Sequence, residues 1–341
     1  MIFSNKIYIF SDYVFQKTKK AAIPLFKLLI PLSIVIRIVQ ELELLPYLSD
    51  VLEPVMHIVG LPAETALVWL TSMVVSIYGG LFVLFSIYPS FEPMTVAQMS
   101  VLLTMILIAH TFPIELSITK KAGVRVWVMF LIRFGLAILL GFSLSKIYSA
   151  LHILQVDAHI SAIFSTTKTT WLAWGLNELK NYALILLIIF SLIAFIRLLE
   201  IIGILKLMNK LLEPILKHLG MSSDVLPLTI AGLTIGIAYG GGLMIAESQA
   251  KRLNPKEVFY SITLMGLFHS IFEDTLLMLS MGGHWSGVIL YRALFAFVCT
   301  FLIFRITKNM DEAKFLKYVM SKNFNSTYSK SDINKPCPEC G

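Results

Sequence analysis

Charge is scarce in this sequence: Asp, Glu, Lys and Arg make up 14% of its 341 residues, against a hydrophobic share of 57%. With a mean hydropathy of +0.79, that excludes an ordinary soluble domain, which carries about 25% charged residues. Cysteine is nearly absent. Cys299 sits in an apolar run and Cys337 and Cys340 in a polar tail, so no disulfide framework is implied. Alternating strands of about ten residues are missing, which excludes an outer-membrane barrel. There is no Gly-x-x-x-x-Gly-Lys-Ser/Thr loop, no nucleotide fingerprint and no nucleophile with a matched base, so the reading is not an enzyme and no cofactor is implied. The amino terminus lacks the short apolar core and small-residue cleavage site of a removed signal peptide.

What the chain has instead is apolar length. Stretches of about 20 residues, enough for a helix to cross a roughly 30 Å hydrocarbon core, recur. They lie near residues 22–44, 64–90, 96–114, 124–148, 182–205, 225–246, 257–281 and 285–306. The expected fold class is an all-α polytopic membrane protein whose first partner is the lipid bilayer. The net charge of +7 lies largely in loops and tails, where it reports topology; no basic patch with interleaved aromatics points to nucleic acid. Phe3, Ile7, Phe10 and Val14 share one helical face beside Lys6, Lys17, Lys19 and Lys20, the pattern of an interfacial helix on the cytoplasmic leaflet.

The chain also repeats itself. At a shift of 160, Arg37 falls on Arg197, Leu52-Glu53-Pro54 on Leu212-Glu213-Pro214, and Gly60 on Gly220. Tyr78-Gly79-Gly80 meets Tyr239-Gly240-Gly241 at 161. At 159, His110 meets His269, Glu115 meets Asp274, Gly123 meets Gly282 and Arg133 meets Arg292. Each copy holds four apolar segments. If all eight crossed, with the amino terminus inside, Lys120, Lys121, Arg125, Lys206, Lys210 and Lys217 would lie outside, against the preference of Lys and Arg for the cytoplasmic face. If the second segment of each copy turns back at its glycines, all six lie inside, and Lys146, Lys168 and Lys180 remain outside. Adjacent glycines suit such a turn, each weakening a helix by about 1 kcal/mol, although taken alone a glycine pair favours close packing in a full span.

The charge count favours the hairpin, and so two inverted repeats, each of three spanning helices plus a re-entrant helical hairpin. The expected divisions are an amphipathic cytoplasmic helix at 1–23, repeats at 24–148 and 182–306, and a polar, basic cytoplasmic tail at 307–341. An external connector at 149–181 joins the repeats, with Trp171, Trp174 and Tyr182 as interface anchors.

Ionisable groups inside apolar spans are costly and mark candidate sites. Glu115 and Arg133 lie nine residues either side of position 124, and Asp274 and Arg292 nine either side of 283, which puts each set near mid-bilayer. The plain reading is two structural ion pairs, with Arg133 and Arg292 neutralising the acids. Glu273 goes beyond it: Ile114 stands at its place in the first copy, so the second copy holds one more carboxylate than its Arg can neutralise. His110 and His269 precede their matching acids by five residues; imidazole titrates near neutral pH, binds metals or donates hydrogen bonds. Glu247, five residues after the second glycine tip, lines the cavity or sits at its cytoplasmic mouth; Arg37 and Arg197 read as snorkelling or structural. Cys337-Pro338-Glu339-Cys340 gives two of the four ligands of a zinc knuckle, completed across a homo-oligomer or left as free thiols.

Ile77-Tyr78-Gly79-Gly80 with Ile108-Ala109-His110, and Tyr239-Gly240-Gly241 with the run His269 to Thr275, resemble the Gate, or nucleoside-recognition, domain. That domain occurs in concentrative nucleoside transporters, in the membrane part of the bacterial ferrous iron transporter B, and in spore maturation proteins A and B. The resemblance covers about residues 50–148 and 210–306. It implies inverted repeats with re-entrant hairpins and a small polar solute, a nucleoside in the first instance. The chain departs from the transporters in lacking their acidic Gly-Gln-x-Glu hairpin motif, so no substrate carries over residue by residue. The expected function is a permease of the cell membrane, both termini cytoplasmic, with solute contacts from Tyr78, Gly79, Gly80, His110, Glu115, Tyr239, Gly240, Gly241, His269, Glu273 and Asp274. The alternatives are a non-transporting membrane scaffold like the spore maturation proteins, and a divalent-metal permease.

Overall fold

A computed structural model describes residues 2–42, 53–88, 92–158, 170–250 and 253–321. Leu52, Lys168 and the Cys337 and Cys340 tail, with the readings attached to them, lie outside the described residues.

The described chain is helical. The amphipathic start and the first apolar stretch form one helix of 40 residues, α1 (Ile2–Glu41), with no break near 23. Two short apolar helices follow, α2 (Thr65–Val74) and α3 (Ile77–Ile87). A capping box between Thr95 and Gln98 starts α4 (Val96–Ile108). After a break come α5 (Phe112–Lys121) and α6 (Val126–Ala150). The second copy repeats the order: α7 (Trp171–Ile202), the amphipathic α8 (Ile204–His218), the short α9 (Leu226–Ile235) and α10 (Ile237–Gln249). Then α11 (Pro255–Phe268) and α12 (Glu273–Ser280) flank a second break, and a π-turn at Ser286–Tyr291 leads into α13 (Arg292–Thr307) and α14 (Glu312–Val319).

Among the described residues, five stretches are long and apolar enough to cross a membrane: Val96–Lys121, Val126–Ala150, Trp171–Ile202, Pro255–Ser280 and Ser286–Thr307. All coincide with expected spans. Helix α7, however, starts at Trp171 and not near 182, because Thr170 accepts a cap hydrogen bond from the Ala173 amide and the following Leu, Ala and Glu residues propagate a helix. The last part of the expected connector is therefore helical.

Helices α2 and α3 are each too short to span, and the chain reverses between them. A Cβ placed on Gly80 would lie 2.6 Å from the Ser72 Cβ and 2.9 Å from the Val68 carbonyl oxygen, eight and twelve residues back. In a continuous helix twelve residues would separate the two by about 18 Å. Helices α9 and α10 do the same: a Cβ on Gly240 would meet the Gly232 backbone and lie 2.8 Å from the Leu228 oxygen.

Two expectations are corrected here. The turns are not at the Tyr-Gly-Gly runs but just before them, at extended Ser76, whose hydroxyl accepts from the Gly79 amide (3.1 Å), and at Gly236, whose φ of 124° favours glycine. The glycines instead lie in the second arm, where they let the two arms touch. Packing also matches Gly80 with Gly240, a shift of 160 and not 161, so Tyr78 corresponds to Ala238 and Gly79 to Tyr239.

The chain divides into two compact units, which are not the two sequence repeats. Unit 1 comprises Met1–Thr111, Ala137–Ile204 and Glu273–Ile289; unit 2 comprises Phe112–Leu136, Leu205–Phe272 and Leu290–Gly341. Each broken helix is shared out at its break, α4 and α12 falling in unit 1, α5 and α11 in unit 2.

In unit 1, α1 packs along α7. Arg37, near the end of α1, lies over Trp171 at the start of α7 (5.4 Å), while Arg197, near the end of α7, lies over Tyr13 (4.5 Å). These two equivalent helices thus run antiparallel, joined midway by the Ser33 and Tyr182 hydroxyls (2.7 Å) and a core of Leu29, Phe82, Ile185 and Ile189. The described start of the connector docks at the head of α4, where the Val96 amide donates to the Val156 carbonyl (2.9 Å).

In unit 2, α9, α10 and α11 pack together, and α14 buries Phe315 against Phe259. The chain after α14 returns to the α5–α6 turn: the Arg125 amide donates to the Val319 carbonyl (2.9 Å), and the Ser321 amide to that of Gly123 (2.7 Å).

The hairpin contacts predict opposite outcomes for two neighbouring glycines. Gly240→Ala forces the arms apart and lowers stability by about 1–3 kcal/mol. Gly242→Ala, with nothing near its Cβ, is neutral or stabilising by up to about 1 kcal/mol. Thermal unfolding of the detergent-solubilised variants checks this, and equal shifts would contradict the close approach.

Candidate functional site

The site begins with a failure of the helix. At His110-Thr111 and at His269-Ser270 the two broken helices lose their hydrogen-bond ladder, and Thr111 and Ser270 both take φ of 49°. A residue with a side chain held in this left-handed region costs about 1–3 kcal/mol and persists only where its surroundings fix it. They do so in the same way twice. The Thr111 amide donates to the Ser72 carbonyl of α2 (2.8 Å), and the Ile271 amide to the Leu233 carbonyl of α9 (3.0 Å). The first arm of each hairpin thus takes up a donor that the break releases.

Each histidine is held by its own helix. Nδ1 of His110 donates to the Ile106 carbonyl (2.9 Å) and Nδ1 of His269 to that of Met265 (2.7 Å). A carbonyl only accepts, so Nδ1 carries the proton and Nε2 is left to face outward from the helix.

Within unit 1, Nε2 of His110 faces Oδ2 of Asp274 at 3.9 Å. The neighbouring Glu273 carboxyl group lies near the Tyr78 hydroxyl of α3. Both acids sit in the first turn of α12, where the helix dipole favours negative charge. A shallow, open apolar pocket adjoins them, lined by Tyr78, Leu81 and Phe82 of α3, Ile185 and Ile188 of α7, and Leu277, one turn beyond Glu273.

Within unit 2, Nε2 of His269 faces Oε1 of Glu115 at 3.4 Å, and Oε2 of Glu115 takes a charged hydrogen bond from Nη1 of Arg133. Arg133 is fully buried, its guanidinium over the Phe112 ring (5.1 Å) and its stem against Gly266, where a Cβ would come within 3.0 Å of its Cδ. Arg292, also fully buried, lies over Phe268 (5.1 Å) and donates to the Leu267 (3.2 Å) and His269 (2.9 Å) carbonyls. It caps the carboxyl end of α11 with a positive charge, as the helix dipole favours.

Several of the sequence-derived residues thus come together, though in a different pattern. The histidine and acid of one copy were matched to each other; in each unit the histidine of one copy faces the acid of the other. Glu115 and Arg133 form the expected ion pair, while the bonds described for Arg292 go to the backbone carbonyls of Leu267 and His269. Gly79, Gly80, Gly240 and Gly241 are buried as packing elements of the hairpins. Tyr239 is 55% exposed and does not repeat the role of Tyr78. Arg37 and Arg197 pair structurally, with Glu41 and with Glu200 (2.7 Å). Sequence reasoning missed Ser76, Thr111, Gly236 and Ser270; their signal was faint, since only their equal spacing in the two copies sets them apart.

Comparison with known proteins adds one relative. The chain is 25% identical over 281 residues to the uncharacterized membrane protein YvoD of Bacillus subtilis (strain 168), covering 81% of this chain and 88% of that protein. The chain is a polytopic membrane protein. No family model and no solved structure matches it.

If the Glu115–Arg133 pair is a structural clamp, Arg133→Met leaves a buried carboxylate uncompensated and costs about 3–5 kcal/mol, most of which the Arg133→Met/Glu115→Leu double variant recovers. Thermal unfolding of the three proteins measures this; a single variant as stable as the native chain would remove the clamp.

Proposed function

We propose that this protein is a transporter-like permease of the Gate type, carrying a small polar solute, nucleosides being the first class to try. The observation that supports it best is the paired helix break. Each of two apolar helices is interrupted at the same position, with a left-handed residue, a histidine and a hairpin carbonyl in attendance. Discontinuous helices at membrane depth are tolerated only where protein or water covers them, and in transporters they line the solute site. A clamp alone has no need of the breaks.

The inverted-repeat topology inferred from charge is supported by the antiparallel α1 and α7, and by chain ends that meet as it requires. In that topology the head of α4, where the connector docks, lies outside, and the α5–α6 turn, where the chain after α14 docks, lies inside. Within unit 1, His110 and Asp274 would supply polar contacts to solute, with backbone groups from the break. Within unit 2, Glu115 is neutralised by Arg133 and acts chiefly to hold the fold.

The test is uptake by proteoliposomes across a panel of labelled nucleosides and divalent metals. Uptake of one nucleoside is expected, reduced at least tenfold in His110→Ala with folding intact. A folded protein that moves nothing on the panel would overturn the reading in favour of a membrane scaffold. Uptake of a metal alone would favour the divalent-metal reading, to which the two His–acid pairs lend their ligand types.

A further inference from the structure

Helix α8 presents three different stripes. Gly203, with a left-handed φ of 86°, ends α7, so that α8 is a helix of its own from Ile204. At about 100° per residue, Leu212 and Leu216, with Leu219 just past the end of the helix, share one side, and all three are buried. Leu207, Leu211 and Ile215 form a second stripe, and these stay between 43% and 56% exposed. Lys210, Glu213 and Lys217 form the third; all are exposed, and Lys217 bonds Glu213 across one turn (2.7 Å). The first stripe already makes the core contact, so the second needs another apolar phase. A helix whose exposed apolar stripe is flanked by cations suits the boundary between acyl chains and headgroups, lying in the plane of the leaflet.

Helix α8 also ends where such a boundary is expected. A Cβ on Gly220 would collide with the Phe304 ring of α13. The end of α8 therefore sits against the last turn of Ser286–Thr307, a stretch long enough to cross the membrane. There Arg305 lies over Phe301 (5.9 Å) and Lys308 over Phe304 (5.8 Å), and both cations are exposed. Three acids of the same unit are occupied: Glu213 with Lys217, Glu257 with the Ser222 amide and hydroxyl, and Asp311 with the Lys314 amide. The repeat shows that the fold does not require the cations. At shifts of 160 in α8 and 159 in α13, Lys210, Lys217, Arg305 and Lys308 fall on Asp50, His57, Lys146 and Ser149 of the first copy. The second copy thus carries four positive charges where the first, with His neutral, carries none on balance. Cations at one only of two equivalent places point to surroundings that differ in charge.

We propose that α8 and the end of α13 form a binding surface for anionic phospholipid. Leu207, Leu211 and Ile215 enter the acyl chains of one leaflet, and Lys210, Lys217, Arg305 and Lys308 hold the headgroup phosphates. Charge chooses the lipid: a zwitterionic headgroup brings its own cation to the same place, whereas each Lys or Arg near an anionic surface strengthens the attraction about fivefold. The inference stands apart from the permease reading, since the surface lies within unit 2 and needs no solute.

The experiment uses the full chain in detergent with equal amounts of phosphatidylglycerol and phosphatidylcholine, the retained lipid being counted by native mass spectrometry. At least about tenfold more phosphatidylglycerol is expected on the native protein, falling below about twofold when Lys210, Lys217, Arg305 and Lys308 are all changed to Gln. Lys146→Gln, in the first copy, is expected to leave the preference unchanged, and excess glycerol phosphate to leave the lipid in place. Equal retention of the two lipids by the native chain overturns the proposal, and so does a quadruple variant that keeps the native preference. A loss in Lys146→Gln as large as in the quadruple variant overturns it too, as does displacement by glycerol phosphate, which would mark a site for free anions. If the quadruple variant does not fold, the double variants Lys210→Gln/Lys217→Gln and Arg305→Gln/Lys308→Gln decide, each expected to lower the preference at least about threefold.

Discussion

A backbone amide or carbonyl in hydrocarbon must find a partner inside the protein, and the rest of this structure follows from that constraint. Two apolar helices are broken, and each break frees donors and acceptors that need partners. The hairpins meet that need with the carbonyls of Ser72 and Leu233, and Arg292 meets it with a buried guanidinium. Short apolar helices that could not span by themselves thereby supply partners for the groups that each break releases.

The breaks also explain how a repeated sequence builds two units that each draw on both copies. Dividing each broken helix at its break puts the histidine of one copy with the acid of the other, so neither copy completes a unit alone. In unit 2 the acid is neutralised and the interior is fixed; in unit 1 the same geometry holds two carboxylates, an imidazole and a phenol beside an apolar pocket.

Much of this was legible in the residues. Twenty-residue apolar runs coincide with the five stretches of the described residues long and apolar enough to span, and the Lys and Arg count argued against a full crossing by the second segment of each copy. The matching Glu115 and Arg133 announced an ion pair. What misled was identity without geometry: two Tyr-Gly-Gly runs invite alignment with each other, yet packing fixes the glycine that touches the opposite arm, and one residue of slip rotates a helix by about 100°. Glycine pairs also look like turns, although the turns belong to Ser76 and Gly236. The exchange of histidine partners could not be read at all, because i,i+5 spacing says where a side chain starts and not which unit receives it.

The claim on which everything stands is that both hairpins enter and leave the membrane on one side, in opposite senses. Labelling of single cysteines with a membrane-impermeant thiol reagent tests it directly, at Glu64 and Glu92 around the first hairpin and at Asp224 and Asn254 around the second. The account predicts that the first two react from outside and the last two only from inside. Reaction of Glu64→Cys and Glu92→Cys from opposite faces would contradict it.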